Sequence, residues 1–155
     1  METMQPRPAE APADDDPEMQ PGDVIQRLLR TAAQVTSVQT RRLRATRLSP
    51  SAFNVLLELA DAPDGGLQPC ALAERLSVSR PSMCGLIDGL QAKGLVTRAP
   101  HHHDGRRVLV SLSADGRRLL EDHRAAYDAM LRAMLDDLNG SDRRRLIGLL
   151  QKIGV

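Results

Sequence analysis

The chain has 155 residues, enough for one domain with or without an extension; 41% of them are hydrophobic, sufficient for a core, and no apolar run approaches the ~18 residues of a membrane span. Two cysteines, Cys70 and Cys84, make no disulfide scaffold, and the aromatic pair Phe53 and Tyr127 offers no stacking platform for single-stranded nucleic acid. The net charge of +1 hides an uneven distribution: the first 23 residues hold seven acids against one base, so an acidic start precedes a basic body whose cations are nearly all Arg.

Residues 1–22 are rich in Pro, Ala and acids and almost empty of large apolar side chains, which predicts a disordered acidic tail. The tail has no apolar segment of a secretory signal, so a cytoplasmic location and no membrane partner are expected. Such a tail is more often only a solvated extension; the alternative is that it competes with an anionic partner for the basic body.

From Asp23 the apolar spacing becomes helical. Val24, Leu28, Val35, Val38 and Leu43 predict a helix over about 23–46. Ser49 and Pro50 then supply an N-cap and a first helical residue, with Phe53, Leu56, Leu57 and Ala60 as the inner face, until Ala62-Pro63 breaks the pattern. Pro69 opens a short helix, PCALAERL. After a turn at Ser77-Val78, Ser79 caps another helix with Leu86, Ile87 and Leu90 facing inward and Gly94 ending it. Two helices joined by so short a turn have the organisation of a helix-turn-helix.

After Gly94 the period falls from 3.6 to 2. LVTRAP and RVLVSL read as strands, and HHHDGRR between them reads as the turn of a β-hairpin. A hairpin placed directly after a helix-turn-helix is a wing. Ser113 caps a long helix over about 114–138, whose apolar stripe includes Leu120, Tyr127, Met130 and Leu131. Asn139-Gly140 ends it, and Ser141 caps a last helix with Leu146, Leu149, Leu150 and Ile153. The expected fold is mainly α with a small β-wing: a winged helix-turn-helix over 48–112, flanked by dimerisation helices at 23–46 and 113–155. Their apolar stripes need covering, which a homodimer supplies.

This order of elements, and the stretch ALAERLSVSRPSMCGLIDGLQAKGLVTRAPHHHDGRRVLVSLSADG at residues 71–116, resemble the MarR (multiple antibiotic resistance regulator) family. The helix ending in AKGLVTR, the wing with Asp104 and Arg106, and the passage through VSLSADG into a long helix carry the resemblance, which covers about residues 23–155. It implies a homodimeric, sequence-specific transcriptional regulator of double-stranded palindromic DNA, a repressor relieved by a small-molecule effector. It also implies a recognition helix in the major groove and a wing Arg in the minor groove. Cys84 and Gly85 stand where many members carry a polar pair, so base reading from the middle of this helix is expected to be weak. The scarcity of aromatics also argues against a pocket that stacks a phenol.

On the residues themselves, Ser79, Arg80, Ser82 and Met83 form the first turn and a half of the recognition helix, the part that approaches bases and phosphates. Arg80 reaches either guanine O6 and N7 or a phosphate. Ser79 serves as cap and phosphate ligand, and Met83 either meets a thymine methyl or packs. At the wing tip the Arg106 guanidinium suits a narrow, strongly negative minor groove. Asp104 would repel phosphates, so its expected work is wing-shaping, through pairing with an Arg at the wing's base. Arg107 either reaches a phosphate or pairs with Asp104.

His101, His102 and His103 invite a metal reading. Only His101 and His103 share a strand face, however, and a tetrahedral zinc needs further ligands, so no metal and no cofactor is expected. Cys84 on the reading helix and Cys70 at a helix start are candidate redox switches. No nucleophile–base pattern, Gly-rich phosphate loop or HExxH marks an enzyme. The rival readings are a redox- or metal-responsive regulator of the same fold and a winged-helix protein-interaction module.

Overall fold

The computed structural model describes residues 20–62, 66–101 and 104–153; at 101 and 104–106 it describes the backbone alone. Residues 1–19 lie outside the described set, and with them nearly all of the expected acidic tail. The elements run α1 (Pro21–Arg42), a 3-10 turn (Arg44–Thr46), α2 (Pro50–Ala60), α3 (Pro69–Arg75), α4 (Arg80–Ala92), β1 (Val96–His101), β2 (Asp104–Leu112), α5 (Ala114–Ala133) and α6 (Gly140–Leu150). By internal contacts the chain divides at Ser37. In the first unit α1 starts two residues before the expected Asp23, and Val24, Ile25 and Leu29 are exposed.

The second unit, from Val38, holds the core. Phe53, Val55 and Leu56 of α2, Leu72 of α3, Met83, Ile87 and Leu90 of α4, Val96 and Val110 of the strands, and Leu120 and Tyr127 of α5 are all buried in one cluster. The expected continuation of α1 to residue 46 is corrected. Leu43 is buried, Thr46 Oγ1 donates to the Leu43 carbonyl at 2.6 Å, and Arg47 takes a left-handed φ of 54°. The chain therefore turns there into the Ser49 cap of α2, whose Oγ accepts from the Ala52 N–H at 3.2 Å.

The strands pair antiparallel, with Val96 opposite Leu112 and Pro100 opposite Val108, and a register irregularity between Pro100 and His101. Leu67 adds a single antiparallel bridge to Val110, which the sequence pattern did not reveal. Val96, Val110 and Leu112 root the ribbon in the core, while Thr97, Arg98, Ala99 and Pro100 are exposed.

Helix α5 ends at Ala133, short of the expected residue 138. The chain continues as turns in which Leu135 N–H donates to Arg132 O and Leu138 N–H to Leu135 O, and the Arg143 guanidinium donates to the carbonyls of Leu135 and Leu138. The last helix is capped by Asn139 rather than Ser141. Asn139 Oδ1 accepts from the N–H groups of Ser141 and Asp142, and Asp142 Oδ2 accepts from the Asn139 N–H, a reciprocal capping box. The α5 stripe is partly satisfied within the chain, through Leu120 and Tyr127, whereas Leu146, Ile147, Leu149 and Leu150 of α6 remain exposed.

Tyr127 ties α5 to α2. Its ring lies 4.8 Å from that of Phe53, its hydroxyl donates to Asn54 Oδ1 at 3.3 Å, and it accepts from Gln39 Nε2 at 3.0 Å. Burial pushes its pKa above the ordinary 10.0; the Gln39 hydrogen bond lowers it and the nearby Asp128 charge raises it. The unfolded tyrosine therefore ionises first, and stability present below pH 10 is lost as the pH rises beyond it. Tyr127→Phe, which keeps the ring contact, is expected to cost about 1 kcal/mol at neutral pH. It should also flatten the decline above pH 10, as chemical denaturation at a series of pH values would measure.

Candidate nucleic-acid interface

Helix α4 presents the candidate reading surface. Ser79 caps it, with Oγ accepting from the Ser82 N–H at 3.3 Å and lying 2.8 Å from Ser82 Oγ, so the two hydroxyls hold each other at the helix start. Pro81, early in the helix, has no N–H to satisfy there. Ser79, Arg80 and Ser82 are all exposed, and the Arg80 side chain makes no hydrogen bond or ion pair among the described residues. Three of the four expected contact residues on α4 thus share an accessible turn.

Met83 does not. It is 0% exposed and belongs to the core cluster with Ile87 and Leu90. The thymine-methyl reading is corrected: positions 83, 87 and 90 follow the 3.6 period and face inward together. Cys84, one residue on, is exposed, as is Cys70 in the first turn of α3. Gly85 and Gly89 have open space where a Cβ would stand, and with Leu48, Ala52, Leu86 and Leu90 they line a shallow cleft of about 170 Å³.

Beside α4 stands the ribbon β1–β2. Asp104, Gly105 and Arg106 lie in β2, but the side chains of Asp104 and Arg106 fall outside the described set, as do His102 and His103 altogether. Arg107 is exposed. Among the described residues no His, Cys, Asp and Glu group could hold a metal.

Arg98, on β1 near the base of the wing, bonds to α4. One Nη donates to Asp88 Oδ1 and the other to Gln91 Oε1 at 2.6 Å. Sequence reasoning missed this because Asp88 is ten residues away on another element. The available signal was the i, i+3 spacing of Asp88 and Gln91, which places two acceptors on one helix face. Lys93, at the C-terminal end of α4, donates to the Arg47 carbonyl at 2.8 Å and ties that end to the start of α2. A second cleft, of about 200 Å³, lies between Ala60, Leu112, Arg117, Leu120, Glu121 and Arg124, the last of which pairs with Asp61.

A helix pair whose second helix exposes a cationic, hydroxyl-rich first turn, followed by a two-stranded antiparallel ribbon, defines a winged helix-turn-helix DNA-binding protein. Residues 46–107 match the sequence profile of the MarR family. An uncharacterized HTH-type transcriptional regulator of Mycobacterium bovis is 41% identical over 108 residues, covering 67% of this chain and 74% of that one. The HTH-type transcriptional repressor YetL of Bacillus subtilis is 30% identical over 103 residues, or 66% of this chain; the match spans 62% of that repressor, less than two thirds of its length. Among solved structures, CouR of Rhodococcus jostii RHA1 bound to p-coumaroyl-CoA superposes with a TM-score of 0.76 at 25% identity, covering 84% of this chain and 91% of that one. The chain belongs to the MarR family of DNA-binding transcriptional regulators, which are not enzymes. No described helix is long and apolar enough to cross a membrane.

The two neighbours on α4 should separate cleanly on mutation. Met83→Ala is expected to cost about 2–5 kcal/mol of stability by opening a core cavity. Arg80→Ala should leave the melting temperature unchanged and weaken DNA binding. If Arg80 reads a guanine the loss is about 1–3 kcal/mol and confined to one base-pair position; if it holds a phosphate, the loss is uniform across sequences and the salt slope falls by about 1. Thermal melts and titrations against single-position DNA variants measure both.

Proposed function

We propose that this regulator is a homodimeric repressor that grips a two-fold palindromic operator of double-stranded DNA in the cytoplasm and is released by a small-molecule effector. The observation that carries the reading is the exposed first turn of α4, with Ser79, Arg80 and Ser82 free of core duty, on the helix whose later part meets the ribbon that bears Arg106 and Arg107. In this reading α4 enters the major groove, Arg106 enters the neighbouring minor groove, Arg107 meets the backbone and Asp104 shapes the turn. A second copy of the chain covers the apolar residues left exposed on α6, and two-fold symmetry sets the spacing of two half-sites. Repression is supported by the Bacillus relative, which is a transcriptional repressor, and an effector by the ligand carried by CouR. The cleft around Arg117 and Arg124 is our candidate seat for it.

The test is a titration of the purified protein against a duplex selected from a random-sequence pool, and against a scrambled duplex, at several salt concentrations. Tight, selective binding with a steep salt slope is expected, and Arg106→Ala should weaken it by about 1–3 kcal/mol. Failure to select any sequence would return the chain to the rival reading, a winged-helix protein-interaction module.

The exposure of Cys84 on the reading helix favours a redox-responsive variant of this function. An oxidised sulfur there adds bulk and polarity at the DNA surface. Peroxide should then release the wild type from DNA and leave Cys84→Ser bound; equal release of both would remove Cys84 as the sensor and leave Cys70 to be tested in the same way.

A further inference from the structure

The Arg98 fork joins two elements that the proposed DNA complex needs in fixed relation. Asp88 and Gln91 lie on α4, the reading helix, and Arg98 lies two residues beyond Val96, where the ribbon leaves the core. From Thr97 to Pro100 the β1 side chains are exposed, so apolar packing on that strand ends at Val96. A two-stranded ribbon with one rooted end pivots readily, since an isolated hairpin has little stability of its own. The guanidinium reaches back from the first exposed turn of the ribbon and spends two donors on two acceptors one helical turn apart.

Charge sharpens the point. Asp88 is 64% exposed on a helix that must approach phosphates, and an unpaired anion there opposes DNA binding. Pairing with Arg98 offsets that repulsion, but leaves Arg98 fewer donors for a phosphate. Two opposite charges are thus spent on each other at a surface where the cation alone would have served affinity better.

We infer that Asp88 and Gln91 are positioning residues that aim the wing: through Arg98 they hold the β1–β2 ribbon at the angle to α4 at which wing and reading helix engage adjacent grooves together. The inference rests on the proposed wing contact and adds to it a specificity role for an acidic residue that does not itself touch DNA. Exposed pairs contribute little to global stability, so its removal changes the wing's distribution of angles rather than the fold. A wing correctly aimed only part of the time lowers apparent affinity by that fraction.

The experiment compares wild type, Asp88→Asn, Arg98→Gln, the double variant and Arg106→Ala on the selected duplex. It reads operator affinity, affinity for scrambled duplex, and minor-groove protection in a hydroxyl-radical footprint; thermal melts confirm folding. Asp88→Asn is expected to weaken operator binding roughly fivefold, by the population argument, and to lose wing protection while keeping its hold on scrambled DNA. The double variant should bind no worse than Arg98→Gln, because the two residues act as one unit. Tighter operator binding by Asp88→Asn, with the wing footprint intact, would mean that Asp88 is only a repelling charge, and the inference would be wrong. A full wing footprint in Arg106→Ala would instead sink the wing contact itself, and this inference with it. Loss of that footprint in Arg106→Ala but not in Asp88→Asn would overturn the positioning role alone.

Discussion

The rest of the structure depends on one close approach, between the Leu95 carbonyl and the α-carbon of Gly116. A Cβ at position 116 would stand 2.1 Å from that oxygen, so no other residue fits without moving backbone. Around this contact the chain ties four elements together in a few residues. Leu95 N–H donates to the Leu90 carbonyl and closes α4, helped by Gly94 at a left-handed φ of 72°. Leu95 O accepts from the Ser113 N–H at 3.1 Å and Ser113 Oγ donates to Gly94 O at 2.6 Å, joining the roots of both strands. The same Ser113 oxygen accepts from the Gly116 N–H and starts α5. The reading helix, the ribbon and the helix that leads out of the DNA-binding region therefore share one rigid joint, and a displacement of α5 is transmitted to the wing root rather than absorbed in a loop.

A second tie, further along α5, joins that helix to α2. Phe53 and Asn54 meet Tyr127 two-thirds of the way along α5, so α5 is held against the DNA-binding core at two well-separated places. A rod fixed at two points cannot pivot about either alone. In the proposed function, an effector that alters the hold of α5 on the core would act between these points or break one of them. The cleft of Ala60, Leu112, Leu120 and Arg124 lies among elements that both ties span. The Arg124–Asp61 pair bridges α5 to the residue after α2 in the same neighbourhood, and it is exposed enough to exchange partners with an entering anion at low cost.

What could be read from the sequence follows from how local the governing physics is. Ser49-Pro50, Ser79 with Pro81, and Ser113 declare helix starts within three residues, and each acts as the cap expected of it. The change of period after Gly94 marked the ribbon for the same reason. Met83 could be read from the sequence either as a base contact or as core because a first-turn position carries two demands, and only its burial in the folded core settles which wins. The end of α5 was set too late because the stripe of Met134, Leu135 and Leu138 keeps a helical spacing, while the carbonyls of Leu135 and Leu138 are claimed by Arg143 from the next element. The Leu67–Val110 bridge left no sequence signal, and the Arg98–Asp88 pair only the i, i+3 spacing of its two acceptors, because each joins residues whose neighbourhood exists only after folding.

Helix α4 shows where its rigidity comes from. With Gly85 and Gly89 in its interior it forgoes roughly 1 kcal/mol each relative to Ala, and neither glycine is required by a close contact or a positive φ. An isolated peptide of this sequence would hold its shape poorly. In the protein the inner face is fully buried through Met83, Ile87 and Leu90, the N-terminus is fixed by the Ser79–Ser82 pair, and the C-terminal half is held from outside by Arg98 on one side and by the Lys93 bond to Arg47 on the other. The order of the reading helix is thus borrowed from its neighbours, the wing included. A helix that holds the ribbon through Asp88 and Gln91 and is itself held by Arg98 shares its order with that ribbon, so a disturbance of either is felt by both.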